Sequence, residues 1–142
     1  MIPLKLEFQA FGSYVSRQTV DFTHLENGDI FLINGKTGSG KTTIIDAMVF
    51  ALYSKGSGVD RNALADMRSK SYGAEDIPTE TSFTFEVKGK TYKFERRCWV
   101  RTKKKRDGTT EQIVETEQNA FELVNDGFTP LFQNPKGKDL DS

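Results

Sequence analysis

One eight-residue stretch, residues 35–42, constrains the fold of this chain more than any other part of its sequence. Its order Gly-Lys-Thr-Gly-Ser-Gly-Lys-Thr matches the phosphate-loop pattern G-x-x-x-x-G-K-[ST]. The glycines permit backbone angles at which successive N–H groups point inward and form a nest for phosphate oxygens, where side chains would block the approach. Such a loop requires a buried strand before it and a helix after it.

Both flanks of the loop carry the patterns that it requires. Residues 29–34 form a short, continuous apolar run, which predicts a central strand covered on both faces. From Lys41 to about Ser54, apolar residues recur at helical spacings around most of the circumference, which predicts a long helix buried within the core. The positive end of that helix would face the same anion as the loop. The apolar positions are Ile44, Ile45, Met48, Phe50, Ala51 and Leu52.

The motif also gives its residues candidate roles in binding a nucleotide. Lys41 would place an ammonium group near the β- and γ-phosphates, where it would stabilise the γ-phosphate. The Thr42 hydroxyl is the expected Mg²⁺ ligand, and Thr43 can donate a hydrogen bond on the α-phosphate side. No complete catalytic set is visible beside Lys41. The predicted nucleotide contacts are Gly35, Thr37, Gly38, Ser39, Gly40, Lys41, Thr42 and Thr43.

Outside the loop, apolar and polar residues alternate in short segments, which predicts half-buried strands. Turn-forming sequences at Gly89, Asp107-Gly108 and residues 125–127 separate several segments and indicate hairpins. We therefore predict an α/β lobe, with a mixed sheet containing antiparallel hairpins and one long buried helix after the phosphate loop. The predicted strands cover residues 4–8, 19–22, 83–87, 92–100, 111–116, 121–124 and 128–131.

Positive charge is concentrated in one stretch, although twenty basic residues balance twenty acidic ones in the whole chain. Residues 96–106 hold seven basic residues and no acidic one. One interpretation is that this patch contacts DNA phosphates, which would make its affinity fall steeply with salt. The other is that it is a solvated hairpin tip, with Trp99 packed on the sheet. The candidate DNA contacts are Arg101, Lys103, Lys104, Lys105 and Arg106.

The N-terminal residues have no feature of a secretory signal, since Leu4, Leu6 and Phe8 alternate with polar residues. The apolar stretches are also too short to span a bilayer. A single cysteine, Cys98, agrees with a reducing compartment, and we interpret it as a packed strand residue. These observations predict a cytoplasmic protein without membrane contact.

Several segments on both sides of the loop resemble the SbcC family of DNA repair ATPases. Residues 11–14 read Phe-Gly-Ser-Tyr and residues 19–22 read Thr-Val-Asp-Phe, which is similar to the opening strands of that family. The predicted helix closes with Ala-Leu-Tyr at residues 51–53, and further similarity lies at residues 67–70, 78–80 and 85–97. The resemblance implies that residues 1–142 form the N-terminal lobe of an ABC/SMC-like P-loop NTPase head that binds ATP with Mg²⁺.

The same resemblance implies partners and an activity for the complete protein. Such a head is completed by a C-terminal segment after a long coiled coil, and two heads form a homodimer that sandwiches two ATP molecules. The implied partners are an SbcD-like nuclease subunit and double-stranded DNA, with ATP hydrolysis regulating the exonuclease. This chain shows no apolar run ending in Asp-Glu, no Ser-Gly-Gly signature and no glutamine loop. We therefore expect the lobe alone to bind ATP but hardly to hydrolyse it.

Two other functions remain open from the sequence. A small P-loop phosphotransferase would share the phosphate loop, but it would also need a lid and a substrate pocket, and neither is evident in the predicted hairpins. A nucleotide-binding fragment without activity of its own would carry the same motif.

Overall fold

The computed structural model describes residues 1–24, 41–53, 68 and 77–131, except for the side chains of residues 100, 101, 112 and 114. The predicted central strand at residues 29–34 lies outside the described residues. Within them, six strands form one sheet in the order β2-β1-β3-β4-β5-β6, and each neighbouring pair is antiparallel. The elements are β1 (Ile2–Gln9), β2 (Gln18–Asp21), α1 (Lys41–Tyr53), β3 (Thr79–Val87), β4 (Lys90–Lys104), β5 (Thr110–Val124) and β6 (Gly127–Pro130).

One face of the sheet packs against α1, and this contact forms the core. Successive side chains of a strand point to opposite faces, so Phe83 and Phe85 of β3 share the buried face while their polar neighbours share the other. From the helix side, Ala47 and Phe50 are fully buried. The ring of Phe50 meets that of Phe11 edge to face, with centroids 5.7 Å apart. The alternation predicted for β1 and β3 is thus confirmed, and it produces one apolar and one polar face.

The helix is less buried than its sequence predicted. Its apolar residues surround the axis, but the sheet covers only one side, where Asp46, Ala47, Phe50 and Ala51 are buried. On the other side Ile45 is 39% exposed and Tyr53 is 60% exposed. The predicted burial within the core is therefore seen on the side of α1 that faces the sheet, and not at Ile45. No helix among residues 1–24, 41–53, 68 and 77–131 is long and apolar enough to cross a membrane.

The second arm of the long hairpin is continuous. The sequence predicted separate strands at residues 111–116 and 121–124, whereas β5 runs unbroken from Thr110 to Val124. It pairs with β4 without a register shift from Lys104↔Thr110 to Tyr92↔Glu122. The intervening polar residues look like a break in the apolar pattern, but their backbone groups are hydrogen-bonded in the sheet. Local hydrophobicity therefore underestimated the strand, because its pairing does not depend on apolar side chains.

Candidate nucleotide-binding site

The last residues of the predicted phosphate loop open the helix α1. Lys41 is its first residue and is half-buried, Thr42 is exposed, and Thr43 is half-buried in the same turn. This first turn contains no acidic residue, so no carboxylate there would repel a phosphate. Backbone N–H groups at a helix N-terminus and a lysine ammonium are chemically suited to an anion, and the Thr42 hydroxyl is the kind of oxygen that Mg²⁺ accepts as a ligand. The other predicted contacts, Gly35, Thr37, Gly38, Ser39 and Gly40, lie outside the described residues.

A loop that sequence reasoning assigned no role, residues 10–17 between β1 and β2, lies against this first turn. A Cβ atom added to Gly12 would stand 2.9 Å from two side-chain atoms of Thr43. Hydrogen bonds within the loop hold it in shape, including Ala10 N–H to the Val15 carbonyl at 2.9 Å. The only sequence signal for this arrangement was the glycine itself, since a glycine next to a strand end can mark a close approach of backbone to another group.

The other end of α1 is fixed by Arg96 of β4, a residue that we had counted in the basic patch. Its Nε donates to the Ala51 carbonyl at 3.0 Å, and its Nη2 donates to the Leu52 carbonyl at 3.2 Å. Its Nη1 donates to the side-chain carbonyl of Gln118 on β5. A guanidinium at the C-terminal carbonyls of a helix satisfies acceptors that lack partners and complements the negative end of the dipole. With 3% of its surface exposed, Arg96 belongs to the fold and not to a DNA-binding surface, which corrects our interpretation of residues 96–106 as one patch.

The next basic residue of the stretch is also engaged, on the opposite face of the sheet. The Arg97 guanidinium forms an ion pair with Glu80 of β3, and Arg17 pairs with the same carboxylate at 2.9 Å. Arg97 also lies 5.5 Å from the centroid of the Trp99 ring, within the range of a cation–π contact. Trp99 is half-buried on this polar face, so it does not reach the apolar core. These residues form part of the charged surface of the sheet.

The remaining basic residues lie at the far end of the β4–β5 hairpin. Lys103, Lys104, Lys105 and Arg106 are all exposed, while the side chain of Arg101 is outside the described part of the structure. The turn that carries them is ordered by its own hydrogen bonds, with Lys105 N–H donating to the Thr109 carbonyl at 2.7 Å. We call residues 103–106 the basic tip.

An acidic side chain stabilises the turn next to the basic tip. The Asp107 carboxylate accepts hydrogen bonds from the Thr109 hydroxyl at 2.6 Å and from the Thr109 N–H at 3.0 Å. These two bonds hold the pKa of Asp107 below its usual value. Asp107 therefore stays ionised and reduces the positive charge that the tip presents.

The interpretation of Cys98 as a packed strand residue is confirmed, since its side chain is fully buried. Burial raises the pKa of its thiol, and the nearby Arg68 charge only partly opposes this. Arg68 donates to the Cys98 carbonyl at 3.1 Å and to the Ile77 carbonyl at 3.0 Å. His24 is exposed, and its Nε2 lies 3.4 Å from Oδ2 of Asp21.

A comparison with protein-family models identifies the family to which this architecture belongs. The model described as an AAA domain matches residues 5–136, which is nearly the whole chain. The chain belongs to the AAA domain family. The match includes every predicted nucleotide contact from Gly35 to Thr43 and also the basic tip.

Within the AAA domain family, curated relatives support the resemblance to SbcC seen in the sequence. The chain is 42% identical over 137 residues to the SbcC subunit of the nuclease SbcCD from Vibrio cholerae serotype O1, which covers 92% of this chain and 13% of the relative. It is also 42% identical over 96 residues to the protein of the same name from Staphylococcus saprophyticus, covering 68% of this chain and 9% of the relative. The AAA domain described here thus spans about one eighth of the first relative, and less of the second.

Proposed function

We propose that this chain is the ATP-binding lobe of an SbcC-like DNA repair ATPase, which processes DNA double-strand ends together with a nuclease subunit. The observation that carries the proposal is the position of Lys41 and Thr42 at the start of α1, in a first turn without acidic residues. A phosphate loop ends at the start of such a helix, where the positive end of the helix and the lysine would face the same anion, and this supports the proposal.

In this function the chain's own residues bind and orient the nucleotide. Lys41 holds the β- and γ-phosphates, Thr42 supplies an oxygen ligand to Mg²⁺, and Thr43 donates on the α-phosphate side. Gly35, Gly38 and Gly40 with Thr37 and Ser39 supply the backbone nest. When bound, Mg²⁺ neutralises part of the charge on the phosphate oxygens.

The exposed side of α1 supports the further proposal that residues 1–142 are one lobe of a split head. Ile45 and Tyr53 are apolar or aromatic, yet 39% and 60% of their surfaces are exposed. A helix that is apolar all round is usually covered on all sides. We infer that the complementary lobe of a longer protein covers this side of the helix. In such a protein, two heads would form a homodimer around ATP, and an SbcD-like nuclease and double-stranded DNA would be the partners.

The ATP site is tested by substituting Lys41. For the unsubstituted chain with Mg²⁺ and ATP at a hundredfold excess over its Kd, bound nucleotide should stabilise the fold by about 2.7 kcal/mol. Lys41→Ala should abolish that stabilisation, measured by thermal unfolding with and without ATP. Lys104→Ala, at an exposed position of the basic tip, is the matched control and should retain it. Stabilisation unchanged by Lys41→Ala would place the nucleotide elsewhere.

The same preparation distinguishes the alternative functions. A small phosphotransferase would transfer phosphate from ATP to an acceptor without any second chain, whereas the proposed lobe should bind ATP with negligible turnover. Transfer of phosphate to an acceptor by the chain alone, at rates typical of enzymes, would favour the phosphotransferase.

We also propose that the basic tip contacts DNA phosphates. Lys103, Lys104, Lys105 and Arg106 are exposed and do not make the contacts that engage Arg96 and Arg97, so their charges can approach a polyanion. Arg101 is retained in this proposal from its position in the sequence.

The tip is tested by replacing Lys103, Lys104 and Lys105 with glutamine and measuring duplex DNA affinity over a range of salt concentrations. For every DNA phosphate that the variant no longer neutralises, the slope of log affinity against log salt should become shallower by about 0.9. Lys90→Gln is the control, because Lys90 is an exposed lysine at the opposite end of β4. Equal slopes for the triple variant and the unsubstituted chain would favour the solvated-tip interpretation.

A further inference from the structure

The β1–β2 loop approaches α1 closely at Gly12. Its backbone has a φ of +57°, and an added Cβ would lie 2.9 Å from both Cγ2 and Oγ1 of Thr43. The Cβ of Thr43 would be 3.5 Å away, which is an ordinary contact distance. Separations under 3.0 Å do not occur in a relaxed structure, so a side chain at position 12 would force one of the two partners to move.

The β1–β2 loop is held in place by hydrogen bonds and packing, so it could not easily shift away from Thr43. Phe11 and Tyr14 exchange backbone hydrogen bonds at 2.9 and 3.0 Å, and the Ala10 carbonyl accepts a hydrogen bond from the Thr79 hydroxyl at 2.8 Å. Phe11 is fully buried against Phe50 of α1. Because tightly packed and hydrogen-bonded segments resist displacement, the strain would fall on Thr43 and the first turn of the helix.

We propose that Gly12 is a positioning residue for the nucleotide site, which it serves by leaving room for Thr43 in the first turn of α1. The inference rests on the proposed function of that site. Thr43 follows Thr42 directly and shares the first helical turn with Lys41, so a shift of Thr43 changes the positions of both. Gly12 acts through Thr43 and the helix backbone, and it requires no contact of its own with the nucleotide.

Two other glycines provide a control for backbone conformation. Gly89 and Gly108 have φ values of +78° and +86°, and an added Cβ at either would meet nothing within 4 Å. Alanine at these positions suffers the same left-handed strain as alanine at position 12 but lacks the close approach. The difference between Gly12→Ala and these variants therefore isolates the contact with Thr43.

The experiment measures Mg-ATP affinity by calorimetry, at a temperature where each variant is folded, and stability by urea unfolding without nucleotide. Gly12→Ala should weaken ATP binding by about tenfold or more, since small misplacements of binding groups have large effects. Gly89→Ala and Gly108→Ala should bind ATP with an affinity within about twofold of the unsubstituted chain, because neither position approaches α1.

Thr43→Ala removes both atoms at 2.9 Å and so provides the rescue. In the Thr43→Ala background, Gly12→Ala should cause no further loss of ATP affinity, and the two substitutions should be non-additive in urea unfolding. If Gly12→Ala alone fails to fold, recovery of folding in the Gly12→Ala/Thr43→Ala double variant supports the inference. Failure of the double variant to fold as well would overturn it.

The outcomes separate this inference from the proposed function. ATP binding by the unsubstituted chain together with equal affinities for Gly12→Ala and Gly108→Ala would overturn the inference alone. Additive stability changes for Gly12→Ala and Thr43→Ala would also overturn it, without any reference to nucleotide. An unsubstituted chain that binds no ATP would contradict the proposed function and the inference together.

Discussion

Arg96 and Lys104 lie on the same strand and within the same run of basic residues, yet they occupy opposite environments. The guanidinium of Arg96 is buried and bonded to two carbonyls of α1 and to Gln118. Lys104 is exposed at the far end of the β4–β5 hairpin. They are eight positions apart, so the regular alternation of the strand places them on the same face. The difference arises because α1 lies across β4 at one end of the strand, while at the other end only β5 accompanies it among the described elements.

The comparison shows that a charge run has no single function. Where a helix terminus meets the strand, a basic side chain is part of the fold, and its removal leaves carbonyl groups without a donor. Where the hairpin extends beyond the helix, the same type of side chain costs nothing to keep in solvent and remains available to a polyanion. Substitutions beside the helix, at Arg96, and substitutions at the basic tip should therefore differ in their effect on stability.

The largest effect is expected for Arg96→Met. The substitution keeps much of the side-chain volume but removes the donors to Ala51, Leu52 and Gln118, so we expect a loss of about 2 to 4 kcal/mol in the free energy of unfolding. Lys104→Met is the matched control and should change stability by no more than about 0.5 kcal/mol. Urea unfolding measures both. Equal losses of unfolding free energy for the two variants would mean that the buried and the exposed basic residue contribute alike to the fold.

A smaller loss is expected for Cys98→Ser, two residues further along β4. Cys98 is fully buried, so serine would place a more polar hydroxyl in an apolar site, at a cost of about 1 to 3 kcal/mol. Thr102→Ser is the control, because Thr102 is exposed on the same strand face. If both substitutions proved neutral in urea unfolding, burial of a β4 side chain would not determine its contribution to stability.

At the tip, the turn itself should matter more than the charges. Gly108 has a φ of +86°, so Gly108→Ala should destabilise the chain by about 1 kcal/mol through backbone strain. Arg106→Ala, two residues away and exposed, should remain within about 0.5 kcal/mol of the unsubstituted chain. Both values are measured by urea unfolding. A larger effect from Arg106 than from Gly108 would show that the tip charge contributes to the fold.

The smallest effect concerns the pH dependence of the turn at Asp107. Because hydrogen bonds from Thr109 lower its pKa in the folded chain, the stabilisation is present above the unfolded pKa of Asp and is lost as the pH falls through the folded pKa. The stability difference between the unsubstituted chain and Asp107→Asn should therefore be larger near neutral pH than in acid below the folded pKa. Thermal unfolding at both pH values measures it. A constant difference would mean that the carboxylate charge is irrelevant to the turn.

Much of the sheet was predictable because its pattern is local. Leu6 and Phe8 alternate with polar residues and lie on the buried face of β1, as expected from a period of two. The continuity of β5 was not predictable in this way. Its polar middle section pairs with β4 through the backbone, and backbone pairing leaves no trace in side-chain hydrophobicity.

In the candidate site, too, some residues could be predicted from local sequence and others could not. The residues from Gly35 to Thr43 were assigned from their own spacing, because a phosphate cradle is built by consecutive backbone groups. Nothing comparable marked Gly12 or Arg96, since each acts on a part of α1 that is distant from it in the chain.

Sequence alone determined the strand periodicity, the phosphate-binding motif and the concentration of positive charge on β4, since each is a property of neighbouring residues. Only the tertiary structure decided which side of α1 is covered, which arginine is buried and which glycine lies against Thr43. The physical reason is that burial and close approach depend on pairs of segments. A single residue type cannot specify what will lie opposite it until the chain has folded.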